Sequence, residues 1–202
     1  MNGKHEALWA IARFFDTIRY GYEGHEGYRK STDLFKMIPC LEDLMTRGLI
    51  HPQWTNFLDL GCADGRVNLM MSYFVRNSIG IEIDKEILNE FEPRKAHLNR
   101  LLKDQKIQPI PENVHLFSGD SLEPGTHARV KEISGVSFEE MDLLYTYITL
   151  HDLFGEMIVE KAQKGALYMV YGFSRILPRY EGMELLIPDV GSQGIAALYR
   201  KL

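Results

Sequence analysis

From residue 57 onward the chain alternates short apolar runs, bounded by glycine or acidic residues, with longer stretches whose apolar positions recur at helical spacing. The runs "NFLDLG", "SIGIEID", "VHLFSGD", "MDLLYTYI" and "ALYMVYGF" predict five strands. Between them, "GRVNLMMSYFV", "KEILNEFEPRKAHLNRLLKDQ", "THARVKEI" and "HDLFGEMIVEKAQK" predict helices. Such alternation implies a parallel sheet with helices on both faces. The tail breaks the pattern. "GMELLIPDV", Gly-Ser-Gln-Gly and "IAALYRKL" read as two strands joined by a turn, an antiparallel pair that brings the sheet to seven strands.

Upstream, residues 1 to 24 hold an amphipathic helix, with Leu8, Ile11, Phe15 and Ile18 on one face. A glycine- and tyrosine-rich break, "RYGYEGHEGYRK", follows, and its tyrosines can belong to a lid or to a surface loop. "STDLFKMIPCLEDLMTRG" predicts a second helix, capped by Ser31 or Thr32 and ended by Gly48, with Pro39 expected to kink or divide it. We expect one domain over residues 1–202. Residues 1–56 form a helical lid or extension and residues 57–202 the core.

Composition changes this picture little. A 45% apolar and 25% charged chain of 202 residues is that of a globular domain. The net charge of -5 gives no general pull toward nucleic acid or an anionic membrane. No segment has roughly 18 apolar residues in a row, and the two cysteines, Cys40 and Cys62, have no metal-like spacing. A cytoplasmic protein without metal is the expectation.

The chemistry concentrates at the strand ends. In an open parallel sheet the ligand lies at the carboxyl ends of the strands, where the order reverses. The first turn there is Gly61-Cys62-Ala63-Asp64-Gly65. Ala63 and Arg66 stand where a dinucleotide fingerprint needs glycines, and no Gly-Lys-Ser/Thr follows for a P-loop. Asp59 and Asp64 would repel a pyrophosphate. Glu82 ends the next strand, 17 positions after Gly65, close to the roughly 20 at which an acid reaches ribose hydroxyls. Asp120, in "SGDSLE", ends the third. Three successive acid-bearing turns on one rim describe a nucleoside site without phosphate.

"DLGCADGRV", "GIEIDKE", "FSGD" and "DLLYTYIT" resemble, in order and spacing, the successive motifs of class I S-adenosylmethionine-dependent methyltransferases, over roughly residues 57 to 173. Ala63 replaces the second glycine of the usual pattern. The resemblance implies S-adenosylmethionine as cofactor and S-adenosylhomocysteine as product. Gly61, Ala63 and Gly65 would lie beside the methionine and ribose, and Asp59 would position the turn or the amino group. Glu82 would take the ribose hydroxyls, and Asp120, with Ser121 beside it, the adenine. Asp64 either joins the cofactor set or caps the helix that begins near Arg66.

The fourth strand bears on the acceptor. It lacks the Pro-Pro of the family's DNA and glutamine methyltransferases, and "DLLYTYIT" resembles the corresponding motif of compact protein-lysine methyltransferases. There Asp142 starts the strand, and Tyr147, Ile148 and Thr149 match a segment near the transferring methyl. Tyr145, Tyr147, Tyr171 and Phe173 can wall a pocket whose aromatic faces attract a cationic amine. His151, beside Asp152, is the rival feature, a general base for a small-molecule O- or N-methyltransferase. A third reading is an inactive cofactor-binding partner protein. A protein or small-molecule acceptor is expected, with no specific nucleic acid and no membrane.

Overall fold

The computed structural model describes residues 3–18, 31–173 and 176–202, so the "RYGYEGHEGYRK" stretch and its suggested lid lie outside the described residues. Two helices, α1 (Gly3–Asp16) and α2 (Leu34–Thr46), precede an alternating run. That run is β1 (Asn56–Leu60), α3 (Arg66–Met71), β2 (Asn77–Glu82), α4 (Lys85–Leu88), α5 (Phe91–Asp104), β3 (Val114–Ser118), α6 (Pro124–Ser134), β4 (Leu143–Tyr147), α7 (His151–Lys161) and β5 (Leu167–Tyr171). The terminal pair is β6 (Met183–Ile187) and β7 (Ala196–Lys201). The seven strands lie in the order β3-β2-β1-β4-β5-β7-β6. All pairings are parallel except β5–β7 and β6–β7. The order reverses between β1 and β4, and the first glycine turn opens from that point.

The sheet divides the core. On one face α1, α2, α3 and α5 bury residues such as Leu8, Phe15, Met37, Leu69 and Leu98 against Phe57, Tyr145 and Tyr171. On the other, Val130 of α6 and Phe154 and Ile158 of α7 cover Leu58, Ile79, Leu144 and Tyr168. The N-terminal helices therefore share one core with the sheet. No described helix is long and apolar enough to cross a membrane.

Several element boundaries differ from the sequence reading, each for a local reason. The helix expected over residues 85–105 is two. Asp84 caps α4 by accepting from the Glu86 and Ile87 amides, and Pro93, which has no N–H to donate backwards, falls in the first turn of α5. α2 starts one residue later than the Ser31 or Thr32 caps allow. Asp33 is the cap, its side chain accepting from the Lys36 amide at 3.1 Å. Pro39 does not divide α2. Gly191 packs so closely on the Pro39–Cys40 backbone that a Cβ there would come within 2.6 Å of the Cys40 nitrogen, and Cys40 Sγ donates to the Val190 carbonyl. This packing holds the helix across the lost hydrogen bond.

Asp16, at the end of α1, accepts from the Leu34 and Phe35 amides at 2.9 and 3.1 Å and so satisfies the orphan donors of α2 from a second helix. Asp16→Ala is expected to lower stability by about 1 kcal/mol, read as a shift of the urea midpoint at unchanged slope.

Candidate functional site

β1 carries Asp59 into the middle of the sheet, in register with Gly80 of β2 and Tyr145 of β4. Beyond Leu60 the chain turns through Gly61 (φ 91), Ala63 (φ 48) and Gly65 (φ 73) into α3. The two glycines do different work. Gly61 is exposed, and a Cβ built on it would meet nothing within 4 Å, so its bare face opens on space that the protein leaves unfilled. Gly65 is buried, and a Cβ there would meet Leu116 at 2.6 Å and Phe91 at 2.7 Å. It lets β3 and α5 close on the turn. Cys62 packs in the same way on Gly80, and burial, reinforced by the acidic residues around it, pushes its thiol well up, so it stays protonated.

Glu82 ends β2 beside this turn. One carboxylate oxygen accepts from the Ala63 amide at 2.8 Å, the other from the Asp84 amide at 2.9 Å. Each oxygen retains a further acceptor direction. The Gly119 amide donates to the Glu82 carbonyl and draws the end of β3 alongside. There Asp120 folds back onto the Leu122 amide at 2.8 Å, and the Ser121 carbonyl accepts from His127 at 2.7 Å. Asp59 is fully buried and its Oδ1 has no hydrogen-bond partner among the described residues. Burial pushes its pKa well above the carboxylate range, and the nearby Glu82 and Asp64 charges push it further. A void of about 30 Å³ lies against it, bounded by Thr32, Asp59, Gly61, Ala63, Tyr145 and Tyr147.

Gly65 holds the N-cap position of α3, and Asp64, just before it, accepts from the Arg66 amide at 3.4 Å and does not present a bare carboxylate. It is fully buried and accepts from Arg66 Nε at 3.0 Å, Arg66 Nη2 at 2.9 Å and Arg94 Nη1. The sequence reading missed Arg94, which lies 30 residues away on α5, and no local signal marks it.

The structure brings Tyr145 and Tyr147 together around Tyr171, their ring centroids 6.3 and 5.9 Å from its own. Tyr145 shares a 2.7 Å hydrogen bond with Thr32, and Tyr171 donates to the Asp33 carbonyl at 3.1 Å. Both hydroxyls are thus engaged by the start of α2, and burial pushes both pKa values up. Phe173 does not join them. Strand β5 ends at Tyr171, Gly172 turns the chain at φ 103, and Phe173 falls on the α6–α7 face. His151 lies there too, its ring 6.1 Å from that of Phe173. Its Nδ1 is 2.8 Å from the Tyr180 hydroxyl and 3.0 Å from Asp152. Asp142 sits at the opposite end of β4, accepting from the Asn56 amide. Among the described residues no group of three or more His, Cys, Asp or Glu could hold a metal.

Solved structures share this architecture. The tRNA (m1A58) methyltransferase TrmI from Aquifex aeolicus superposes with a TM-score of 0.53 at 12% identity, over 96% of this chain and 76% of that one. The yhhF protein from Escherichia coli, an assigned methyltransferase, gives 0.52 at 14% identity, over 86% and 88%. HI0767 from Haemophilus influenzae, an assigned methylase, gives 0.50 at 19%, over 80% and 88%. The fold is that of the class I S-adenosylmethionine-dependent methyltransferases. No protein-family model and no curated protein matches the sequence.

Two outcomes follow. Gly61→Ala is expected to cost about 1–2 kcal/mol from its backbone angle alone. Gly65→Ala adds an overpacking cost of about 1–3 kcal/mol, so chemical denaturation should rank it as clearly the more damaging. The second concerns Asp59, which binds its proton more tightly folded than unfolded. Stability therefore falls as pH rises from the ordinary carboxyl range toward the folded value. Asp59→Asn should remove that slope, leaving the variant at least as stable as the parent at neutral pH and relatively less favoured near pH 4, as read from urea midpoints across the range.

Proposed function

We propose that the protein is a methyltransferase that uses S-adenosylmethionine and transfers the methyl group to a nitrogen acceptor, with a protein lysine as the favoured class. The observation that carries the reading is the pairing of Gly61's open face with Glu82, which braces the glycine turn and keeps acceptor capacity on both oxygens. The residues fit the cofactor. Glu82 would hold the ribose hydroxyls, Asp120 and Ser121 the adenine side, and the unpartnered Asp59 oxygen the amino group directly or through a water. When bound, the sulfonium supplies an activated methyl for in-line displacement.

The acceptor side of the site favours an amine. Tyr145 and Tyr171 present aromatic rings while their hydroxyls are engaged and too weakly acidic to serve as bases at neutral pH. The half-buried Tyr147 lies over Gly172, where a Cβ would approach its ring to 3.0 Å. An amine acceptor would need only alignment and loss of its proton to solvent, and aromatic faces would stabilise the cationic methylammonium it becomes. The rival small-molecule reading needs His151 as base; Asp152 at its Nδ1 would leave Nε2 to take the proton, but the ring lies with Phe173 and Tyr180 on the face of the sheet away from Tyr145 and Tyr171. TrmI is a tRNA methyltransferase, but a net charge of -5 sets a polynucleotide acceptor behind a protein one.

The test is incubation with methyl-tritiated cofactor and cell lysate, followed by separation into protein, RNA and small molecules. Label should enter protein and survive hydrolysis as methyl-lysine; label confined to RNA or small molecules overturns the lysine assignment. On the substrate so found, Tyr147→Ala should slow single-turnover transfer far more than His151→Ala. A general base at His151 would reverse that order, since its loss costs about 10²–10⁴-fold.

A further inference from the structure

The structure assigns Arg94 of α5 the role of a positioning residue that holds the Gly61–Gly65 turn in its ligand-ready shape, an inference that rests on reading this turn as the cofactor seat. The turn needs an external hold because of Ala63. Its φ of 48 lies in the left-handed region, where a Cβ crowds the following carbonyl and which glycine enters without penalty. An alanine here does not keep that shape by itself.

Two ties impose it from either side. Glu82 grips the Ala63 amide, and Asp64, the next residue, is pinned through both carboxylate oxygens. Arg66 is only two residues from Asp64, so that pair can travel with the turn. Arg94 cannot, because it belongs to another element. α5 presents Phe91 to Gly65 and, one helical turn on, Arg94 to Asp64, so the same face of the helix packs the turn and charges it. Glu90, on the preceding turn of α5, pairs with Arg94 at 3.0 Å and fixes its direction. Arg66 meanwhile stands 5.2 Å over the Phe15 ring, which joins α1 to the same hub. A buried carboxylate with two guanidinium partners is a stiff joint, since displacing either partner leaves charge poorly compensated in a dry site.

The decisive experiment is a rescue. Arg94→Gln should weaken S-adenosylhomocysteine binding roughly tenfold by calorimetry. In an Ala63→Gly background, where the left-handed angle is no longer resisted, the same change should have a markedly smaller effect. In the ligand-free protein, Arg94→Gln should speed amide exchange at residues 63 and 65 and leave the β5–β7 ladder unchanged. Should Arg94→Gln fold poorly, Arg94→Lys, which keeps the charge but not the fork, should give the same pattern at smaller amplitude. Equal losses in the alanine and glycine backgrounds, or unchanged exchange at the turn, overturn the assignment. A parent protein that fails to bind S-adenosylhomocysteine overturns the cofactor reading instead, and the exchange measurement then decides the role of Arg94 alone.

Discussion

Burying a carboxylate is among the most expensive things a fold can do, and this one buries Asp64 in the turn on which its site depends. Arg66 and Arg94 converge on it and make the charge tolerable. That requirement fixes where α3 begins, how α5 lies across the turn, and how closely Phe91 approaches Gly65. The strand ends supply the rest. Glu82 reaches back to the Ala63 amide, so β1 and β2 are joined at their carboxyl ends by a side chain as well as by the ladder. The turn is therefore braced by charge on its outer side and by hydrogen bonding on its inner side, while Gly61 stays uncovered.

The N-terminal helices extend the same logic to the tyrosine cluster. Thr32 and Asp33 receive the hydroxyls of Tyr145 and Tyr171, one from each of the two central strands, so the start of α2 is seated on the sheet beside the void next to Asp59. Tyr145 and Tyr147 both line that void, and the Tyr145 hydroxyl is already committed to Thr32.

The sheet was readable in the sequence because its inner parallel strands, β1, β2, β4 and β5, are near-continuous apolar runs buried on both faces, and all but β4 end at a glycine or an acid. The antiparallel tail was readable from its turn residues. Features set by distant partners were not. Nothing near Asp64 announces Arg94, so its carboxylate looked like a cap or a ligand. Phe173 groups with Tyr171 in the sequence because both stand at the end of the fifth strand, and a single positive φ at Gly172 turns Phe173 to the other face. Ser31, Thr32 and Asp33 are three adjacent candidates for one helix cap, and the hydroxyl of Tyr145, more than a hundred residues later, takes Thr32 for another purpose. His151 and Asp152 have the composition of a catalytic pair and do meet at 3.0 Å, but no residue near them announces Tyr180, from the β5–β6 connection, on the same ring nitrogen.

The strand order carries a consequence for how the molecule comes to be made. β7 lies between β5 and β6, so β6 has no partner in the sheet until β7 arrives, and β5 presents an open edge until the same moment. On a ribosome, which releases the chain from its N-terminus, the cofactor half of the sheet can assemble early, whereas the outer half waits for the segment from Ala196 to Lys201. During that interval β5 exposes one unpaired edge of an apolar strand, the kind of surface that recruits a neighbouring chain instead of its own. Nascent-chain quality for this protein is therefore governed at the end of the sheet farthest from its chemistry.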